Sequence, residues 1–477
     1  MVEKTNGSET KKASELKENL CFDPARVWDK LTADEQSQVA AYADGYRDFL
    51  NTARTETKAV KEFVRRASEK GFEDLETGDA NAKGFYQTIR GKLLVMAIPG
   101  RKPITEGARL IASHTDCPRL DLKQNPLYED TDLAFLKTHY YGGIKKYHWV
   151  ARPLALLGTI ITAGEEPREI DVEIGTRPDD PVLLIPDLLP HLGKKQMEKA
   201  ANEFITAEQL NVLIGNTPYP EKEAEPRVKL AILDLLQKRF GIKEEDFTSA
   251  ELQLVPAESA RDGGLDGSLI VGYGQDDRVC AYTSFTALME TEKPEYTSIA
   301  VFFDKEEIGS EGNTSAQSRS LEMFFMTLME KLGVEPTLKA LHRFYLNCRA
   351  LSADVNAAFD PTFPDVFEKR NACRLGYGLT IEKYTGHGGK YMASDANVGY
   401  ISWVRRLFNL NGIAWQIGGH GKVDEGGGGT VAKFLARTGM EVLDVGPAML
   451  GMHSPMEVTA KDDVWMCHRG YKAFFAG

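Results

Sequence analysis

The sequence has no apolar run approaching the length of a membrane span, which argues against a helical integral membrane protein. It has no apolar segment near its start either. MVEKTNGSETKKASELKENL is polar throughout, so no secretory leader is expected. A basic excess is also missing. The 477 residues carry 58 Lys and Arg against 70 Asp and Glu, a formal net charge of −12. A nucleic-acid partner would call for a basic stripe. Cysteine is sparse and scattered at positions 21, 117, 280, 348, 373 and 467, with no C-x-x-C pair. That fits reduced thiols in a soluble cytoplasmic protein better than a disulfide framework or a zinc–thiolate site. No internal repeat or long low-complexity tract is present.

What is there is a chain too long for one average core, so two domains or one domain with a large insert are expected. Leu31-Thr32-Ala33-Asp34-Glu35 carries a capping box at the start of a helix. A second helix near Thr57 sets Val60, Phe63 and Val64 on one face. LLVMAI (93–98) and RLIASHTD (109–116) read as strands around a Pro/Gly turn. Between about 124 and 264 the character changes. ALLGTIITA (155–163) and PVLLIPDLL (181–189) are β-like, a proline- and glutamate-rich loop spans 216–227, and 228–241 reads as a helix stopped by glycine. Strand–helix alternation resumes after 265. SLIVGYG precedes a helix from about 278, and SIAVFF precedes a helix at 319–331. Asp395 is placed to cap a helix carrying Val398, Ile401, Val404 and Leu407. IAWQI, TVAKFLART and EVLDVG follow as strand, helix and strand. This alternation predicts an α/β fold, with a mainly parallel central sheet sandwiched by helices. The expected organisation is a polar tail at 1–20, a catalytic domain from 21–123 and 265–477, and a β-rich insert at 124–264.

Chemistry-bearing residues fall at the ends of these strands, where α/β proteins collect ligands and catalytic groups. His114-Thr115-Asp116 offers an imidazole with a carboxylate able to hold its second nitrogen, or a surface turn. Asp276, in QDDR, can bridge two cations or cap the next helix. Glu306 and Glu307 follow SIAVFF. Adjacent glutamates are common on solvated surfaces, but at a strand end one can hold a cation while the other moves a proton. Asp354 is a ligand or a turn residue, and His453 a ligand or a loop histidine. Nitrogen and oxygen donors without cysteine suit a hydrolytic Zn²⁺, Mn²⁺ or Co²⁺ site, with the spare glutamate as general base. The glycine-rich GGHGKVDEGGGGT (418–430) fails the P-loop spacing. It is either a flexible loop or a backbone that approaches a substrate closely.

Taken together, SHTDCPRLDLK, DDR, DKEEIGS, SADV and GMHSP resemble the dinuclear zinc aminopeptidases of the aspartyl aminopeptidase and vacuolar aminopeptidase I family. The match runs over most of the chain and includes YYGGI and IPDLLPHL. The resemblance implies a zinc-exopeptidase-like fold and a metalloaminopeptidase that hydrolyses the N-terminal residue from peptides with a free N-terminus. It implies two metal ions per subunit, with His114 and Asp354 on one, Glu307 and His453 on the other, and Asp276 bridging. Asp116 would orient His114, and Glu306 would be the general base. Family members assemble as homo-oligomers, often dodecamers, which gives 124–264 a role as an oligomerisation or lid domain. The family's GGGIWHTWFDRD segment, whose histidine reaches a neighbouring active site, departs here to 142–149. Aligning back from Trp149 and Arg152 puts Tyr147 at that histidine, and His148 is chosen with a one-residue shift. Lys390 and Lys422 are the candidate partners for an acidic substrate side chain. Two other classes fit parts of the pattern: another dinuclear-metal hydrolase, such as a carboxypeptidase or N-deacylase, and a non-catalytic scaffold or cargo protein retaining the fold.

Overall fold

The computed structural model describes residues 13–477. Within the polar stretch assigned to 1–20, Ala13–Leu20 is helical and the first twelve positions lie outside the described residues. Helix Ala33–Thr52 begins at the anticipated capping box. The Thr32 hydroxyl accepts from the Glu35 N–H, and the Glu35 carboxylate accepts from the Thr32 N–H at 2.9 Å. Helix Glu56–Ser68 follows, capped by Thr55.

The frame is a nine-stranded sheet among the described residues. From its third strand to one edge run Leu93–Ile98, Thr297–Phe303, Ala108–His114, Arg349–Ser352, Glu441–Gly446, Leu379–Glu382 and, at the edge, Trp415–Ile417, in that spatial order. Five of its eight pairings are parallel and three antiparallel. The strands Leu93–Ile98, Ala108–His114 and Thr297–Phe303 are buried at every position. That is what helices on both faces require: neither side of the strand meets water, so the sequence runs apolar without alternation. Alternate residues still serve different cores. Leu94, Met96 and Phe302 join the cluster under helices Ala33–Thr52, Glu56–Ser68 and Lys461–Ala476. Leu93, Val95 and Val301 join the one under Ser320–Lys331 and Leu338–Asn347.

A second, six-stranded sheet is built from Arg119–Asp130, Leu133–Tyr141, Leu154–Ile161, Glu169–Ile174, Asn211–Gly215 and Ala250–Pro256, with antiparallel pairings. Helix Arg227–Phe240 packs on it and ends at Gly241 in the left-handed conformation (φ 72°), the expected stop.

Two expectations are corrected by the fold. The stretch 181–189 is not a strand; it makes only isolated bridges at Leu183 and Leu184. Pro181, Pro186 and Pro190 cannot donate to a ladder, and Leu188 and Leu189 are exposed. Asp395 does not cap helix Val398–Leu410. Its N-cap is Asn397, and Asp395 instead pairs with Lys390 at 3.0 Å and Lys383 at 3.6 Å. No helix of the described residues is long and apolar enough to cross a membrane.

Candidate metal centre

Four neighbouring strands of the large sheet end on one cavity. Ala108–His114 ends in His114, Thr297–Phe303 leads to Glu306 and Glu307, Arg349–Ser352 leads to Asp354, and Glu441–Gly446 leads towards His453. The parallel register Phe303↔His114 and Ser352↔Ala112 brings these ends level. Asp276 arrives from the opposite side. It precedes the regular part of helix Gln275–Met289 with non-helical backbone (φ −81°, ψ 107°), so its carboxylate leaves the helix axis instead of capping it. All seven residues assigned to metal and catalysis come together. Six of them line a cavity of about 330 Å³, and Asp116 lies beneath.

Asp276 is the geometric centre. Its Oδ1 lies 3.3 Å from His114 Nε2 and its Oδ2 lies 3.3 Å from His453 Nε2. Asp354 Oδ1 is 3.9 Å from His114 Nε2, and Glu307 Oε2 is 3.3 Å from His453 Nε2. Two tight donor triads result, His114–Asp276–Glu307 and His114–Asp277–Asp354. The second includes a residue to which the sequence alone gives no role. Asp277 is buried, and its Oδ2 accepts from the His114 N–H at 3.4 Å.

Asp116 does more than orient His114. Its Oδ1 lies 3.4 Å from His114 Nδ1, and its backbone carbonyl is 3.0 Å from the same nitrogen. The Glu306 N–H donates to Oδ1 at 3.1 Å and the Glu307 N–H to Oδ2 at 3.2 Å. The Tyr141 hydroxyl, from the second sheet, also donates to Oδ2 at 2.8 Å. Arg119 lies over the Tyr141 ring and close to buried Glu56, at 3.8 Å and 3.6 Å. Burial alone would raise the Asp116 carboxyl; His114, Tyr141 and Arg119 hold it below its ordinary value.

Burial would raise the Asp276 carboxyl, but His114 and His453 hold it well below its ordinary value. Glu306, Asp354 and Glu307 instead show a shortage of positive charge. Burial, then Asp354, Asp116 and Asp276, push Glu306 up to about 8 against the pull of His114. Burial, then Asp276, push Asp354 up to about 7. Glu307 is raised by burial and by Asp276. Burial would lower His453, but Glu307 and Asp276 lift it to about 11. Glu307 Oε1 and Asp277 Oδ1 are buried with no hydrogen-bond partner among the described residues. Buried carboxylates of this kind are costly unless a cation joins them. The donors are nitrogen and oxygen only, which suits a catalytic divalent ion.

Three residues to which the sequence gives no individual role, two of them in the YYGGI segment, complete the support. Glu457 is buried and ties two prospective ligands together. Its Oε2 accepts from the N–H of Gln275 at 2.7 Å and of Asp276 at 3.1 Å, and its Oε1 accepts from the N–H of His453 at 2.9 Å. The His453-x-x-x-Glu457 spacing is the one signal of it in the sequence. Gly143 supplies a carbonyl 2.9 Å from His453 Nδ1, fixing that ring as metal-ligating histidines are usually fixed. Tyr141 is the third. The weaker substrate assignments fall elsewhere. Lys390 and Lys422 line an adjoining cavity of about 820 Å³. His148 lies in the short 3₁₀ turn Lys146–Trp149, edge-on to Tyr147 at 4.6 Å. Its Nδ1 is buried without a partner among the described residues.

Comparison with known proteins gives the family. Residues 49–475 match the family described as aminopeptidase I zinc metalloprotease (M18). A probable M18 family aminopeptidase 1 from Clostridium acetobutylicum is 45% identical, covering 94% of this chain and 97% of that protein. The crystal structure of the Thermotoga maritima M18 aminopeptidase superposes with a TM-score of 0.91 at 41% identity, covering 95% of this chain and 99% of that one. The Saccharomyces cerevisiae mApe1 dodecamer shares the fold, with a TM-score of 0.73 at 23% identity over 91% of this chain and 96% of that one. The chain belongs to the M18 family of zinc aminopeptidases and is a metalloaminopeptidase, a hydrolase that removes N-terminal residues from peptides.

Proposed function

We propose that the cavity holds two zinc ions, with Mn²⁺ or Co²⁺ as ions that the same donors accept. His114 and Asp354 would hold one, Glu307 and His453 the other, with Asp276 shared. The observation that carries this reading is the position of Asp276, one carboxylate oxygen facing each histidine at 3.3 Å. Asp277 lacks that two-sided placement and serves the His114 backbone instead. Bound there, zinc would polarise the first carbonyl of a peptide and lower the pKa of a water.

The protein's own residues supply the rest. Glu306 has no ion-pair partner among the described residues, and its carboxyl, pushed up to about 8 mainly by burial, suits proton transfer near neutral pH. It would take the proton from the attacking water and return it to the leaving amine. Asp116 would keep Glu306 and Glu307 in fixed relation by holding both backbone N–H groups. Replacing Asp276 by Ala and counting zinc by mass spectrometry tests the ligand set; an unchanged zinc content would remove Asp276 as the shared ligand.

The same proposal gives 124–264 the role of an inserted domain for assembly, with a homo-oligomer, a dodecamer, as the working form. Its support is apolar surface: Val182, Leu188, Leu189 and Leu192 are each more than half exposed, at 52%, 55%, 51% and 70%. His148 would act towards a neighbouring subunit, and Lys390 and Lys422 towards substrate. Free cysteines, five of them buried, favour a cytoplasmic location.

A further inference from the structure

The glycine-rich segment 418–430 is absorbed by neither the metal cluster nor the assembly surface. In the structure it folds back against the sheet. Gly386 and His387 pair with Gly428 and Gly427 in a short antiparallel ladder. A Cβ on Gly418 would meet Thr380 Cγ2 at 2.3 Å, and one on Gly426 would meet the His420 carbonyl oxygen at 2.2 Å. Only glycine admits so close an approach. The outcome is a fixed position for His420, which lines both the metal cavity and the adjoining cavity of about 820 Å³.

His420 has one charged neighbour in ion-pair range. Its Nδ1 lies 3.4 Å from Glu382 Oε2, and the Glu382 side chain is only 3% exposed. Glu382 stands in a registered row across three strands, opposite Asp444, which is opposite Ser352. Asp444 Oδ1 accepts from the Thr430 hydroxyl at 2.6 Å, so the row is held from the glycine segment as well. The buried Glu382 carboxylate lies beside Nδ1 without a hydrogen bond to it, and Nε2 is the nitrogen on the far side of the ring. That nitrogen is spare for whatever passes between the two cavities.

The sizes of these cavities separate their uses. The metal cavity, at about 330 Å³, suits the N-terminal residue. The adjoining one, at about 820 Å³, is in the range that encloses a whole drug-sized ligand and exceeds the need of one side chain. Its walls mix apolar surface from Ile381, Trp415 and Ile417 with Lys383, Arg405 and Lys422. We propose that His420, with the Glu382 carboxylate beside its Nδ1, donates a hydrogen bond from Nε2 to a backbone carbonyl oxygen of the bound peptide just beyond the scissile bond. The adjoining cavity then takes the residues that follow, so Lys390 and Lys422 in its wall would face those residues and not the side chain of the first. This assignment rests on the metal and base assignments above, which locate the scissile bond.

The test compares an aminoacyl p-nitroanilide with a tetrapeptide of the same first residue, on the zinc-loaded enzyme. A single hydrogen bond implies a loss of about two- to tenfold. His420→Ala should lower kcat/KM for the tetrapeptide by that factor, mostly through KM, and lower it less for the nitroanilide. The Kd of a tetrapeptide whose first amide is replaced by a methyleneamine, measured by calorimetry, should rise in parallel. His420→Gln, which keeps an N–H donor, should recover much of the loss, and zinc content should stay at the wild-type value. Equal losses on both substrates, an unchanged Kd or a loss of zinc would each overturn the proposal. The separate zinc count on Asp276→Ala reports on the ligand set, so a failure there is distinguishable from a failure here.

Discussion

The two sheets of this molecule are built to different rules. In the nine-stranded sheet, helices cover both faces and the strands Leu93–Ile98, Ala108–His114 and Thr297–Phe303 are buried at every residue. In the six-stranded sheet, Leu133–Tyr141 and Glu169–Ile174 alternate between buried and more exposed positions, as strands with one buried face do. Ile161 is 49% exposed. A cavity of about 520 Å³ in this sheet is lined mainly by leucine, isoleucine and valine under helix Arg227–Phe240. The difference bears directly on chemistry. Charged groups at the ends of fully buried strands lose their water and interact strongly, which is why Glu306 and Asp354 are shifted so far. The second sheet supplies surface, and reaches the candidate metal centre through Tyr141 and Gly143.

This contrast can be broken by mutation. The largest effect is expected at the strand ends. Glu306→Gln should retain zinc and lose about 10²–10⁴-fold in turnover, the usual worth of general acid–base action. Zinc analysis beside steady-state kinetics checks it, and substantial remaining activity would mean that another group is the base. Next comes the buried frame. Phe302 is fully buried and packs on Phe63 at 4.8 Å. Phe302→Ala should cost about 3–5 kcal/mol of stability in urea unfolding. A smaller effect is expected at Glu457. Glu457→Ala should lower zinc affinity or activity by about 10–100-fold, the range seen for groups that position ligands. Zinc competition titrations read this directly, and wild-type affinity with wild-type turnover would leave Glu457 a purely structural role. The smallest change in stability belongs to the second sheet's surface. Val182→Ser and Leu189→Ser should each shift folding stability by less than about 0.5 kcal/mol, while lowering the subunit count in light scattering. A pair that unfolds the chain would erase the contrast between the two sheets.

Much of the first sheet is legible in the sequence because two-sided burial writes itself as unbroken apolar runs. SIAVFF and LLVMAI are such runs. The carboxylates and histidines at their ends stand out because nothing in a solvated turn requires that order of types. The second sheet is harder to read. In 181–189 an apolar run coincides with prolines, and hydropathy alone cannot separate a core strand from an apolar surface segment. Glu457 is hidden for another reason. It acts on backbone N–H groups of Gln275, Asp276 and His453, and every residue but proline offers such a group, so no partner side chain marks it. Asp395 lies two residues before the N-cap Asn397, and its carboxylate pairs with Lys390 and Lys383 instead.

The hydrogen bonds from Tyr141 to Asp116 and between His453 and Gly143 carry a practical consequence for anyone trimming this enzyme. The segment after Pro118 looks removable on a topology diagram, since the large sheet closes without it. Excising it would strip one donor from the carboxylate that holds both glutamates and the acceptor that fixes one histidine ring. A minimal catalytic unit cut at the sheet boundary would therefore be an enzyme with its active site left open on one side. The smallest useful fragment keeps the strands Arg119–Asp130 and Leu133–Tyr141 and the Gly142–Gly143 corner that follows them.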